Sequence, residues 1–340
     1  MRSLAAIVLV ACSEPASVVA DADADAGAEA GAPPVAVPDA SADAVAAPSG
    51  WSSRASLPRP MQEVAVLALD GLVYVIGGFD DASATLADVR IYDPATDRWR
   101  DGVALPRPLH HVNAAVVGDR IWIAGALEGG AFTATGVTLM FDPGAGSWVE
   151  RRAMPPGSER GSSMTAAIGE TIYVAGGLRG GAVADFSAYD TETDTWSSLP
   201  PLPSARDHGG GVAAGGLFFA VSGRSSIAGH TTRLDVFDPA TGAWTSRTPM
   251  PTSRAGSSIA LAGDRIVVLG GEGNPAVPSG VFAEVEAYSI AADRWEALPA
   301  MPTPRHGTGA ATIDGVVYVP GGGTRQGFGA TAIVEALRVP

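Results

Sequence analysis

Lysine is absent from this 340-residue chain, and cysteine occurs once, at Cys12. Without lysine there is no Schiff-base chemistry, no lysine nucleophile and no phosphate-loop lysine. With a single cysteine no internal disulfide can form. Neither a Gly-x-Ser-x-Gly elbow nor a His-Glu-x-x-His pair is present. Basic residues are scarce: 22 arginines stand against 36 acidic residues, for a net charge of −14. No basic stripe interleaved with aromatics occurs, so the chain offers no surface for nucleic-acid phosphates.

What the chain has in quantity is glycine and proline, 43 and 26 residues, and they fall at fixed places. Tyr92-Asp93-Pro94-Ala95-Thr96-Asp97-Arg98-Trp99 recurs as Phe141…Trp148, Tyr189…Trp196, Phe237…Trp244 and Tyr288…Trp295, with seven positions between aromatic and Trp each time. A fixed gap of Asp, Pro, Gly and Thr is a tight turn between two strands. Six positions after each of Trp51, Trp99, Trp148, Trp196, Trp244 and Trp295 comes Leu or Met followed by Pro. Those six Trp residues are spaced by 48, 49, 48, 48 and 51 positions. The third signature is an apolar run ending in paired glycines. It reads Val73-Tyr74-Val75-Ile76-Gly77-Gly78, with counterparts at Gly176-Gly177, Gly270-Gly271 and Gly321-Gly322, and degenerate copies at Gly125-Ala126 and Ser222-Gly223. A period near fifty marks stacked supersecondary units.

Together these signatures resemble the kelch repeat, in six copies over residues 51–340. The resemblance implies an all-β fold: a six-bladed propeller with four antiparallel strands per blade. The first strand follows the Leu/Met-Pro turn, the second runs into the glycine pair, the third ends at the aromatic, and the fourth begins at the Trp. The repeat region opens on a lone Trp strand and ends on a third strand, residues 333–339, with no Trp strand after it. The two fragments are complementary, so residues 51–56 are expected to complete the last blade and fasten the ring. The repeat-locked aromatic, Gly, Asp-Pro and Leu/Met-Pro positions read as scaffold.

Upstream, residues 1–12 look like a bacterial lipoprotein signal. Arg2 precedes a short apolar stretch at residues 4–10, far too short to span a bilayer. Leu9-Val10-Ala11-Cys12 then fits the lipobox, in which Cys12 would be lipidated. Ser13 in place of Asp favours the outer membrane. Residues 13–50 are rich in Ala, Asp and Pro, carry seven acidic residues and no basic or aromatic one, and read as a disordered tether. The expected location is therefore the bacterial cell envelope, held to the membrane only through the lipid.

Function is expected where the repeats differ. In kelch domains the loop leading into the first strand and the loop after the glycine pair open on one face around the central channel. Carried over by position, the leading loops supply Arg160, Arg206, Arg254 and Arg305, and the post-glycine loops supply Arg224, Glu272 and Arg325. Such arginines would suit a carboxylate, an acidic glycan or an acidic protein segment. Equally, they could pair with neighbouring carboxylates and backbone carbonyls as scaffold. Four of five histidines, His110, His111, His208 and His306, also lie in leading loops, on alternate blades. Three imidazoles could ligate Zn or Cu, but channel width and an invisible second shell stand against it, and no metal or cofactor is assigned. Kelch-type copper oxidases use a Tyr cross-linked to a Cys, and the repeats contain none. The expected function is a monomeric module binding a protein or acidic glycan on the leading-loop face, through His111, Arg160, Arg206, His208, Arg224, Arg254, Glu272, Arg305, His306 and Arg325. The alternatives are a carbohydrate-binding module and a periplasmic mutarotase of sialic-acid type; the latter rests on resemblance of fold, with no catalytic residue assigned.

Overall fold

The computed structural model describes residues 50–226 and 229–340; the leader with Cys12 and the tether up to residue 49 lie outside the described residues. Among the described residues 24 strands form six antiparallel sheets of four, and there is no helix. Blade one is representative: Ala65–Leu69, Leu72–Ile76, Val89–Asp93 and Arg98–Asp101, paired in that order from the channel outward. Blades one to five keep chain order, and the sixth does not. There Trp51–Ser53 pairs with Val334–Arg338 in the register Trp51↔Leu337, Ser52↔Ala336 and Ser53↔Glu335. The start of the repeats thus supplies the outer strand of the last blade, and the ring closes.

The seven-residue gap has a simple geometric cause. A hairpin of that length places the aromatic directly opposite the Trp, as in Tyr92↔Trp99 and Tyr189↔Trp196, with ring centroids 5.1 and 4.9 Å apart. The turn needs one left-handed residue, filled by Asp97, Gly146, Asp194, Gly242 and Asp293. Where the aromatic is Tyr, its hydroxyl donates to that Asp at 2.6–2.7 Å. Where it is Phe141 or Phe237, with no hydroxyl to donate, the turn residue is Gly.

The same column joins neighbouring blades. All six repeat Trp side chains donate Nε1–H to a carbonyl of the preceding blade, at 2.7–3.0 Å, from Trp51 to Pro299 round to Trp295 to Thr248. The first position of each glycine pair also faces a neighbour. A Cβ on Gly77 or Gly176 would overlap the carbonyl oxygen of Leu109 or Arg206 in the next blade. The apolar core is correspondingly divided: each cluster of buried side chains draws on two adjacent blades, such as Val73, Val75 and Tyr92 with Tyr318 and Ala336. Burial on both faces explains why a second strand such as Arg120–Glu128 reads as an unbroken apolar run.

Candidate functional site

The leading loops converge on the channel in three successive columns. The first column is Met61, Leu109, Arg160, Arg206, Arg254 and Arg305. Its side chains turn into the blades, and the four arginines are at most 1 % exposed. Arg160 donates to the carbonyls of Gly176, Val174 and Ser158 and to Ser187 Oγ. Arg206 donates to Ser222 and Ala220 and pairs with Asp235 at 3.0 Å. Arg254 pairs with Glu286 at 2.9 Å, and Arg305 with Glu335 at 2.5 Å. Burial lowers the Arg160 and Arg206 guanidinium pKa values to about 10, still far above neutrality, so both stay charged. The expectation that these four arginines face a ligand is therefore corrected: they are internal cross-braces. They occupy the place Met61 and Leu109 fill in blades one and two.

The third column lines the channel: Glu63, His111, Ser162, His208, Gly256 and Gly307, all at φ between 49° and 62°. Their backbones form a closed hydrogen-bonded circle. His111 N–H donates to Glu63 O, Ser162 to His111, His208 to Ser162, Gly256 to His208, Gly307 to Gly256, and Glu63 back to Gly307, at 2.5–3.1 Å. Left-handed backbone at a residue bearing a side chain is strained, and here it aims the Glu63, His111 and His208 side chains inward. Gly307 leaves Glu63 room, since a Cβ there would overlap the Glu63 carboxylate.

Above this circle lies a cavity of about 300 Å³, lined by Gln62, Glu63, His111, Phe132, His208, Arg224, Glu272, His306, Gln326, Gly327 and Phe328. Beneath it, the channel of about 460 Å³ is walled by the first strands, and Glu63, His111 and His208 border both spaces. Within the mouth the polar groups form one connected set. His110 Nε2 meets Gly129 O at 3.0 Å, and its Nδ1 meets His111 Nδ1 at 2.6 Å. His111 Nε2 lies 3.1 Å from both Glu63 Oε2 and His208 Nε2. His208 Nδ1 bonds Asp207. Arg224 pairs with Glu272, reaches Asp207 at 3.3 Å and His208 Nε2 at 3.1 Å. His306 turns Nε2 to the carbonyls of Arg325 and Gly327, at 2.8 and 3.2 Å. Its Nδ1 faces Glu272 and Glu63 at 3.6 and 3.9 Å. Phe79, Phe132 and Phe328 make an aromatic wall alongside, with centroids 5.9 and 5.3 Å from Phe79.

Burial, reinforced by the neighbouring His111, lowers the His110 pKa to about 4 and keeps that imidazole neutral. Burial likewise lowers the His208 pKa, against the opposing pull of Asp207. Burial opposes charge on Glu63, yet His111, His306 and His208 outweigh it and hold this carboxyl well below the usual carboxylate range.

Of the residues expected at this face, His111, His208, Arg224, Glu272 and His306 meet in the mouth. Arg325 sits on its rim, exposed, with Nε donating to Phe328 O at 2.6 Å. The imidazoles do not form a threefold set, because Glu63 stands between His306 and the His111–His208 pair. Glu63, Asp207, Phe132 and Phe328 were not anticipated. Glu63 and Asp207 lie in the columns of His111 and of His110 and His306, two places and one place beyond the Arg column, so aligning the repeats would find them. Phe132 and Phe328 lie on irregular loops outside any column.

Comparison with known proteins agrees with this architecture. The model of the KLHDC2/KLHL20/DRC7 Kelch-repeats domain matches residues 49–206. The chain is 32% identical over 300 residues to the Kelch-like protein terF of Aspergillus terreus, covering 85% of this chain and 56% of that protein. It is 31% identical over 166 residues to Kelch domain-containing protein 8B of Homo sapiens, covering 46% of this chain and 45% of that one. The chain thus spans about half the length of the curated relatives it matches. Among solved structures, that of YjhT superposes with a TM-score of 0.68 at 16% identity, over 82% of this chain and 96% of its own. With six four-stranded blades and repeat-locked Trp and glycine columns, the chain is a six-bladed β-propeller whose repeats are similar to the kelch repeats of these relatives.

Proposed function

We propose that this chain is a binding module of the bacterial cell envelope, held there by a lipid on Cys12, which takes its partner in the mouth on the leading-loop face. Kelch propellers generally act as protein-interaction modules, and fold alone would not locate the surface used. The observation that carries the reading is the mouth itself, a cavity of about 300 Å³ with an aromatic wall on one side and paired charges on the other. That combination suits a protein loop or a glycan offering an apolar face and several hydroxyl or charged groups. With four arginines braced inside the blades, the exposed Arg325 and Arg224, the latter already paired with Glu272 and Asp207, are the arginines of the expected set that stand at the mouth. In the test, purified full-length protein captures partners from envelope extract. Phe328→Asp should abolish capture of a defined partner that Val103→Asp, an exposed change outside the mouth residues, leaves intact. Equal capture by both variants would refute the mouth as the site. Metabolic labelling with palmitate, lost in Cys12→Ser, tests the anchor; no label in the wild type would remove it.

One observation favours the mutarotase alternative. His208, bonded behind to Asp207, and Glu272 border a small-molecule-sized cavity, and anomer exchange needs one group to give and one to take a proton. Pure protein should then accelerate exchange of a sialic-acid-type sugar in NMR spectra, and an uncatalysed rate would exclude it.

A further inference from the structure

We propose that Glu63, His111 and His208 form a site for one divalent transition-metal ion of the zinc type. His110 Nε2 faces the Gly129 carbonyl and so carries the hydrogen, which makes its Nδ1 an acceptor. His111 Nδ1, at 2.6 Å, must therefore donate to it. Asp207 likewise takes the hydrogen of His208 Nδ1. In their neutral forms both imidazoles keep the Nε2 lone pair, and these two nitrogens lie 3.1 Å apart with Glu63 Oε2 at 3.1 Å from the first. Three lone pairs gathered this closely repel unless a proton or a metal ion sits among them.

The geometry fits a metal. The three ligand atoms lie within 4.8 Å of one another. Ligands about 2.0–2.1 Å from a tetrahedral zinc are separated by ~3.3 Å, close to the two separations of 3.1 Å seen here. Two His and one Glu are a donor set suited to zinc, with a fourth position open, and the three residues border both the mouth and the channel. Each His also has the outer partner a metal-bound imidazole needs to fix its tautomer: His110 for His111, Asp207 for His208. A second, independent observation points the same way. His306 Nδ1 is buried without a hydrogen-bond partner, 3.9 Å from the other oxygen of Glu63. Its Nε2 hydrogen is committed to carbonyls, so a neutral His306 turns a lone pair toward Glu63 and toward Glu272, of which only Glu272 has an arginine partner among the described residues, Arg224. One group must yield: Arg224 NH2 lies 3.1 Å from His208 Nε2 and would be displaced, keeping Glu272 and Asp207.

The site is independent of which partner enters the mouth. Full-length protein, prepared without a His tag and stripped with a chelator, would be titrated with Co²⁺ and then Zn²⁺. The expected result is a visible cobalt spectrum saturating at one ion per chain and displaced by zinc. His111→Gln and His208→Gln should each weaken Zn²⁺ by more than ~100-fold, and Asp207→Asn by ~10–100-fold. Arg224→Gln, which removes a competing cation, should strengthen it several-fold. Absence of both cobalt spectrum and zinc heat in the wild type would overturn the site, as would undiminished binding in the His111→Gln/His208→Gln double variant. Should the His variants fail to fold, unchanged affinity in both Asp207→Asn and Arg224→Gln would overturn it equally.

Discussion

Removing residues 51–57 should lower the melting temperature in calorimetry by ~10 °C or more, since each kcal/mol is worth a few degrees in a domain of this size. The segment is short but bears on both sides of the seam. It pairs with Val334–Arg338, and without it that strand becomes an open edge. It carries Leu57, 4 % exposed in the core between blades six and one. It offers Ala55 O to Trp99 and Ala55 N–H to Asp97, at 2.7 and 2.8 Å, which are blade one's own anchors. Its Trp51 reaches back to Pro299 in blade five. One deletion thus loosens blades five, six and one together. An unchanged melt would mean that the ring does not depend on this seam.

Glu335→Leu should be the most damaging conservative-volume change in the blades, at about 3–5 kcal/mol, because it leaves the Arg305 charge buried without its counter-ion. The carbonyls of Thr303 and Val319 would still receive hydrogen bonds from Arg305, but they cannot neutralise it. The pair need not be stabilising in net terms, since a well-packed apolar pair often does as well. This chain contains such a pair: blade two has Leu109 and Leu139, both fully buried, at the two equivalent positions. Arg305→Met/Glu335→Leu should accordingly recover most of the loss. Urea titration of the two variants measures both numbers. A silent Glu335→Leu would show that the guanidinium is not sealed inside the blade.

The propeller was legible because its scaffold is written in columns, and each column has one geometric task repeated. Trp and its aromatic must face each other across a hairpin, and the first glycine must pass beneath a neighbour's carbonyl. Even the closing strand followed from a count of fragments. The mouth was only half legible. The Arg column was the conspicuous one, yet long side chains set there turn into the blade, where Ser187, Asp235, Glu286 and Glu335 stand two places before the aromatic or its equivalent. The column that reaches the channel is chemically mixed, Glu, His, Ser, His, Gly and Gly, and what unites it is a left-handed backbone that no residue-type pattern displays. Phe132 and Phe328 were out of reach because the loops between second and third strands differ in length and sequence from blade to blade.

Closure around a single hydrogen-bonded circle is the premise of the mouth, the metal site and the internal arginines alike. It can be observed as through-hydrogen-bond scalar couplings in a deuterated, doubly labelled NMR sample. The fold described here predicts a coupling between the Glu63 amide nitrogen and the Gly307 carbonyl carbon, 244 positions apart in sequence, beside those of His111, Ser162, His208, Gly256 and Gly307 to the preceding blade. A spectrum holding those five but lacking the Glu63–Gly307 coupling, with the Glu63 amide exchanging freely, would show an open ring and contradict it.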